Sequence, residues 1–188
     1  MAITRMTIEG HAQLELNNVS FRRDGRVEAQ CKLNATDFSS AAPAENGMIL
    51  AVDKANNQIK KSVDKTLPVA LNYTSEHMYD ERHNGLKDFA LTPDDMLPRL
   101  GYLSVGDAFT TNAVAFDIAA TGADFTSESA ALSAVAAYAS TAIYGTDCSD
   151  GYILVTNSTG KINNVKLKVV KNSTMPDGQP GIKFQVIG

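Results

Sequence analysis

Short runs in which every second residue is apolar recur from one end of this chain to the other, and that period of two admits few folds. Val27, Ala29, Cys31 and Leu33 alternate with Glu28, Gln30 and Lys32; Leu67, Val69, Leu71 and Tyr73 alternate likewise; so do Val165, Leu167 and Val169 with Lys166 and Lys168, and Ile182, Phe184 and Val186 with Lys183 and Gln185. A strand turns successive side chains to opposite faces, so each run offers one apolar face to a core and one polar face to water. A chain built this way must stack sheets. Its fold class is mainly β with one helix (α+β), a small β-barrel or β-sandwich-like body.

The stretch 97–117, LPRLGYLSVGDAFTTNAVAFD, is the centre of that body. It passes through the turn pair Gly106-Asp107 and enters a segment, Phe109 to Phe116, whose β-branched and aromatic residues favour a strand. Gly47 to Asp53 is a compact apolar run that reads as a buried strand, and the Asn56-Asn57 turn leads on to Gln58–Lys61. The helix is expected from Glu128 over three to four turns, with Ser127 as its cap and Leu132, Val135, Ala136 and Ala139 on one face. A shorter helix or 3₁₀ turn is expected at Thr92-Pro93-Asp94-Asp95.

Ahead of the body stands an N-terminal arm. Leu14, Leu16, Val19 and Phe21 approach Asp24-Gly25, a favoured hairpin turn, so a hairpin over 14–33 is expected. The sequence NATDFSSAAPAE (34–45) reads as a linker, which divides the chain into an arm and hairpin (1–40) and a β-rich domain (41–188). Residues 1–33 hold five basic and four acidic side chains, a net of +1, which leaves −5 of the total −4 on the remainder. A slightly basic arm on an acidic body can steer towards an acidic surface.

Chemistry-bearing motifs are sparse. The pI near 5.3 gives no electrostatic reason to bind nucleic acid, and the chain has no Trp. Cys31 and Cys148 lack metal-ligand or disulfide spacing and read as small apolar side chains. No apolar run is long enough for a membrane span, and MAITRMTIEG has no signal-peptide core. The five Asn-x-Ser/Thr triplets, beginning at Asn18, Asn34, Asn72, Asn157 and Asn172, then read as turn chemistry in a chain made in the cytoplasm. Glu76, His77, Asp80, Glu81 and His83 form the one cluster that suggests a metal or acid–base site, but they do not make HExxH, and Asn84-Gly85 ends the segment. No catalytic residue, metal ligand or cofactor is assigned.

Three stretches carry a resemblance: the opening Gly47 to Val52, the segment Val105-Gly-Asp-Ala-Phe-Thr-Thr-Asn112, and the run from Tyr144 through Asp150-Gly-Tyr-Ile-Leu-Val155. Across most of 47–155 the chain resembles the head decoration (cement, or capsid auxiliary) proteins of tailed bacteriophages. That resemblance implies a homotrimer made in the host cytoplasm and seated in the virion on the outer capsid surface, with the major capsid protein as partner and an arm that orders on the shell. The expected contact residues are Met6, Ile8, Leu14, Leu16, Phe21, Arg22, Arg23 and Arg26 of the arm, with Val105, Asp107, Phe109 and Asn112 of the body. A tail-tube or head-completion subunit, a metal-dependent enzyme using 76–83 and an adhesin module are the alternatives.

Overall fold

The computed structural model describes residues 3–61, 64–74, 85–118, 124–137, 143–147, 150–157 and 162–188. In chain order the strands are β1 (Ile3–Arg5), β2 (Leu14–Asn18), β3 (Val27–Glu28), β4 (Lys32–Leu33), β5 (Ala44–Glu45), β6 (Ile49–Asp53), β7 (Gln58–Lys61) and β8 (Val69–Asn72). They continue as β9 (Ala90–Leu91), β10 (Leu100–Gly101), β11 (Ala108–Thr111), β12 (Val114–Asp117), β13 (Tyr144–Asp147), β14 (Ile153–Thr156), β15 (Leu167–Thr174) and β16 (Pro180–Val186). Helix α1 is Phe21–Asp24 and helix α2 is Glu128–Ala136. The fold is mostly β with one main helix, α+β and sandwich-like. None of its sheets closes into a barrel.

Eight strands form the larger sheet, in the order β1-β12-β14-β13-β15-β16-β11-β2, and six form the second, in the order β3-β10-β8-β6-β7-β4. The larger sheet is strongly rolled. Strands β11 and β12 stand seventh and second in it, which a flat sheet would hold about 24 Å apart at about 4.8 Å per strand. They are joined only by Asn112 and Ala113, a connection that spans at most about 11 Å. The two edges therefore converge at that corner, and the N-terminal segment supplies both of them, β1 on β12 and β2 on β11.

The second sheet is buried on both faces, which is why β6 reads as an unbroken apolar run. Ile49 and Ala51, with Val69 and Leu71 of β8, face the rolled sheet and meet Phe109, Phe116, Phe184 and their neighbours. Leu50, Val52 and Ala70 face the other way, onto Cys31, Leu33, Phe38, Phe89 and Leu91. Helix α2 starts as expected, the Ser127 hydroxyl accepting from the Ala130 amide at 3.1 Å, and buries Ala131 and Val135. Nine of its residues are described, against the three to four turns expected; residues 138–142 lie outside the described residues. The apolar run 47–53 holds a strand at 49–53, the run 152–156 one at 153–156, and the segments 58–61 and 182–186 are strands as well.

Several local expectations are corrected. No hairpin spans 14–33: Phe21–Asp24 forms a helical turn, and Gly25 (φ 66°) is its left-handed C-cap instead of a hairpin turn. The second half of that expected hairpin splits into β3 and β4, which lie at opposite edges of the six-stranded sheet. Glu28, not Val27, is the buried residue of β3; Lys54 at 3.2 Å and the Gln30 amide at 2.9 Å hold its carboxylate. The 34–45 segment is not a free spacer, because Phe38 and Ala44 are buried in the second core cluster. Phe109 to Phe116 is two strands with different partners. Thr92–Asp95 is a single turn, with the Asp95 amide donating to the Thr92 carbonyl. Pro180-Gly181, a turn-forming pair by residue type, instead opens β16, and the lysine-bearing run 166–168, whose pattern suits an edge strand, enters the interior strand β15.

Candidate functional site

Asp107 organises one corner of the molecule. In the tight turn before β11, Gly106 takes φ 96°, and its amide bonds to the Val186 carbonyl at 2.9 Å while the Val186 amide bonds back to Asp107. The buried Asp107 carboxylate then accepts from the Ser104 amide at 2.8 Å and, across to α1, from the Ser20 amide at 2.8 Å and the Ser20 hydroxyl at 3.3 Å. A second tie is made by Arg26, whose guanidinium donates to the Ser104 hydroxyl and whose carbonyl accepts from the Tyr102 amide at 3.0 Å. Phe21 pegs the helix from beneath. It is fully buried, 4.9 Å from the Tyr73 ring, and rests on Gly101, where a Cβ would come within 2.5 Å of its ring.

These ties fix α1 and the 104–107 turn as one unit, and its outer surface carries Arg22, Arg23, Arg26 and Val105. Val105 is 72% exposed, the most exposed of the large apolar side chains among the described residues. Arg23 pairs with Asp24 at 2.8 Å, an exposed contact that raises the guanidinium's pKa and lowers the carboxyl's by direct hydrogen bonding. Exposed guanidinium groups on a unit that also bears an exposed apolar side chain, their charge partly offset by Asp24, suit an acidic protein surface with an apolar spot.

Of the twelve contact residues expected from sequence, these four are exposed, on the tied α1 and 104–107 segments. Asp107 is buried and holds them there. Met6, Leu14, Phe21 and Phe109 are core residues, and Ile8 and Leu16 are half-buried against that core. Asn112 is buried in the β11–β12 corner, where its Oδ1 accepts from the Gln13 amide at 2.6 Å. The structure brings these eight to the interior or its margin because they complete the rolled sheet.

A second polar centre went unread in the sequence. Glu45, 2% exposed, receives four donors: Arg5 Nη2 at 2.6 Å, the Ala12 amide at 2.7 Å, the Tyr152 hydroxyl at 3.2 Å and His11 Nδ1 at 3.3 Å. The Arg5 guanidinium also lies 4.9 Å over the Tyr152 ring, and burial together with the carboxylate pushes the Tyr152 phenol up. An open pocket of about 260 Å³ adjoins this centre, lined by Arg5, Pro43, Lys61, Asp150 and Tyr152 among others. The carboxylate's acceptor positions are taken up in holding residues 5–12 to the body. Its signal was invisible because Arg5 and Glu45 are 40 residues apart.

Among the described residues no three His, Cys, Asp or Glu side chains gather as a metal site. The cluster Glu76, His77, Asp80, Glu81 and His83 lies outside the described residues, as does Cys148. Comparison with family models, with curated proteins and with solved structures returned no match.

Proposed function

We propose that this protein is a structural subunit of a tailed-bacteriophage head, a decoration protein that acts as a homotrimer on the outer capsid surface and contacts the major capsid protein. The observation that carries the reading is the rigid corner at which Arg22, Arg23, Arg26 and Val105 stand exposed together, on a chain whose net charge is −4. A basic, apolar-centred rim on an acidic body orients the subunit, rim towards an acidic shell surface and body towards solvent. The resemblance over 47–155 supplies the identity of that shell.

The work such a subunit does is thermodynamic. A protein that bridges neighbouring shell subunits gains its contact energy only in the assembled lattice, so its binding favours that state against opening. Repetition around the shell lets modest individual contacts suffice. Because the docking residues sit on a pre-ordered corner, little ordering entropy opposes binding.

The test is sedimentation of purified protein with empty capsid shells. The R23E and V105D variants, neither of which touches the ties to Asp107 and Ser104, are expected to lose shell occupancy, with apparent affinity weakened by about tenfold or more, at an unchanged melting temperature. Full occupancy by both variants would refute the reading. Rings or tubes formed by the purified protein alone would point instead to a tail-tube or head-completion subunit.

A further inference from the structure

Residues 3–9 form a thin strap across the body. β1 hydrogen-bonds only to β12, in the register Ile3–Asp117, Thr4–Phe116 and Arg5–Ala115, and its other side is a free sheet edge among the described residues. Ile3 is 45% exposed, and within the strap only Met6 is fully buried. The remaining ties are polar: Arg5 to the buried Glu45, the Met6 amide to the Val114 carbonyl at 2.9 Å, and, at the surface, the Thr7 amide and hydroxyl to the Glu128 carboxylate at 2.8 Å each, Glu9 to Lys87 at 2.9 Å, and the Glu9 amide and carbonyl to the Gln179 side chain at 2.5 and 3.2 Å. Beyond Gly10 the chain is held differently, with Ala12, Gln13 and Leu14 all buried. Gly10 itself takes φ 74°, and a Cβ there would lie 2.5 Å from the Lys87 carbonyl oxygen. It is a pivot between a lightly held strap and a fixed strand.

We infer that this strap is an exchangeable element, and that in packed copies residues 3–9 of one chain seat on β12 and Glu45 of the next. Strap and seat are matched: a strand with an edge, a guanidinium with a buried carboxylate, and Met6 with the cavity it fills. Each copy carries both halves, so every contact made within one chain can be made between two at no cost in chemistry. A segment with few buried apolar contacts opens at lower free energy than the core, and the exposed Glu9–Lys87 pair does little to hold it, whereas opening leaves the buried Glu45 without Arg5, a loss that the Arg5 of a second copy makes good. A strap from a second copy restores all that the opening loses, including the hydrogen-bonding edge of β12. Passed head to tail, such contacts close after three copies, the homotrimer proposed above, when the rotation between copies permits. This goes beyond the docking rim, since chains can exchange straps whether or not they bind a shell.

Two full-length chains test it, Ile3→Cys and Asp117→Cys, both with Cys148→Ser, mixed and gently oxidised. Ile3 and Asp117 are register partners, so an interchain disulfide forms efficiently only when one chain's strap lies on the other's β12. The expected result is a mixed disulfide dimer about tenfold more abundant than that formed when Asp94→Cys, an exposed control, replaces Asp117→Cys. Equal yields would overturn the proposal. Amide exchange in the E45Q chain gives a reading that does not depend on the new cysteines. Gln keeps the shape but presents an NH₂ where Arg5 and Ala12 donate, so amides of the strap and of β12 should exchange about tenfold faster, those of β15 and β16 remaining unchanged. Acceleration spread evenly over all of them would equally overturn it.

Discussion

Replacing Asp107 with Ala leaves the Ser20 and Ser104 amides without their acceptor in a place water reaches poorly. Each lost partner of this kind costs about 1–3 kcal/mol, so D107A should destabilise by roughly 2–4 kcal/mol in urea unfolding, and D107N by less because one oxygen still accepts. Shell binding should weaken with it, since the rim residues lose their support. Gly47 is more severe. It has φ 82°, and an added Cβ would lie 1.9 Å from Thr111 Oγ1, so G47A combines backbone strain with overlap and should cost at least about 2 kcal/mol. T111A should recover only part of that loss, because the strained φ remains. The turn at Asp53 sets an acid response. Lys60 at 2.7 Å, and then Asn56, hold the Asp53 carboxyl at about 2, well below the ordinary aspartate value. A carboxyl depressed in the folded state contributes stability above its unfolded pKa of about 4 and loses it as pH falls towards 2. D53N should therefore flatten the stability profile between those values, as urea midpoints at pH 4, 3 and 2 would show.

At the scale of elements, what could be read from sequence depended on whether a signal had one structural use or two. Ser127 before an acidic first turn has one strong use, and α2 starts there; S127A should cost about 1 kcal/mol through the lost bond to the Ala130 amide, measurable by thermal unfolding. The strands β6 and β14 were legible because their apolar runs are bounded by turn residues, β7 because it follows the Asn56-Asn57 turn, and β16 because Ile182, Phe184 and Val186 alternate with polar residues. Asp24-Gly25 has two uses. A glycine at positive φ serves a hairpin turn and a helix C-cap equally well, and the choice fell to Phe21, whose burial against Tyr73 and Gly101 needs the helical turn. A similar ambiguity hid the break at Asn112-Ala113, where two weak strand formers stand between β-branched residues on both sides and the rolled sheet requires a corner. For the candidate site, Arg22, Arg23, Arg26 and Val105 were legible as exposed turn residues. The apolar residues chosen beside them were not, because an amphipathic strand that seats on a neighbour and one that seats on its own chain have the same sequence. Glu45 left no local signal, as its donors come from three distant segments.

At the scale of the whole molecule, the fate of the N-terminal forty residues decides what kind of object this is. They contribute both edges of the rolled sheet, both edges of the second sheet and six buried apolar side chains, of which Met6, Leu14, Phe21 and Phe38 are large and fully buried and Leu33 and Cys31 complete the set. Burying one such side chain is worth about 1.5–3 kcal/mol, so the six together contribute on the order of 10 kcal/mol. That equals the entire net stability of an ordinary domain, about 5–15 kcal/mol. A chain beginning at residue 41 should thus fail to fold, showing no cooperative transition by circular dichroism and no dispersed amide spectrum. Removal of residues 1–9 alone takes away one large core side chain and an edge, and should leave a folded protein of lower melting temperature. If the 41–188 chain instead melted cooperatively, the arm would be an accessory to a self-sufficient body, and the tie between the docking corner and the core would be weaker than the bonds through Asp107 and the burial of Phe21 require.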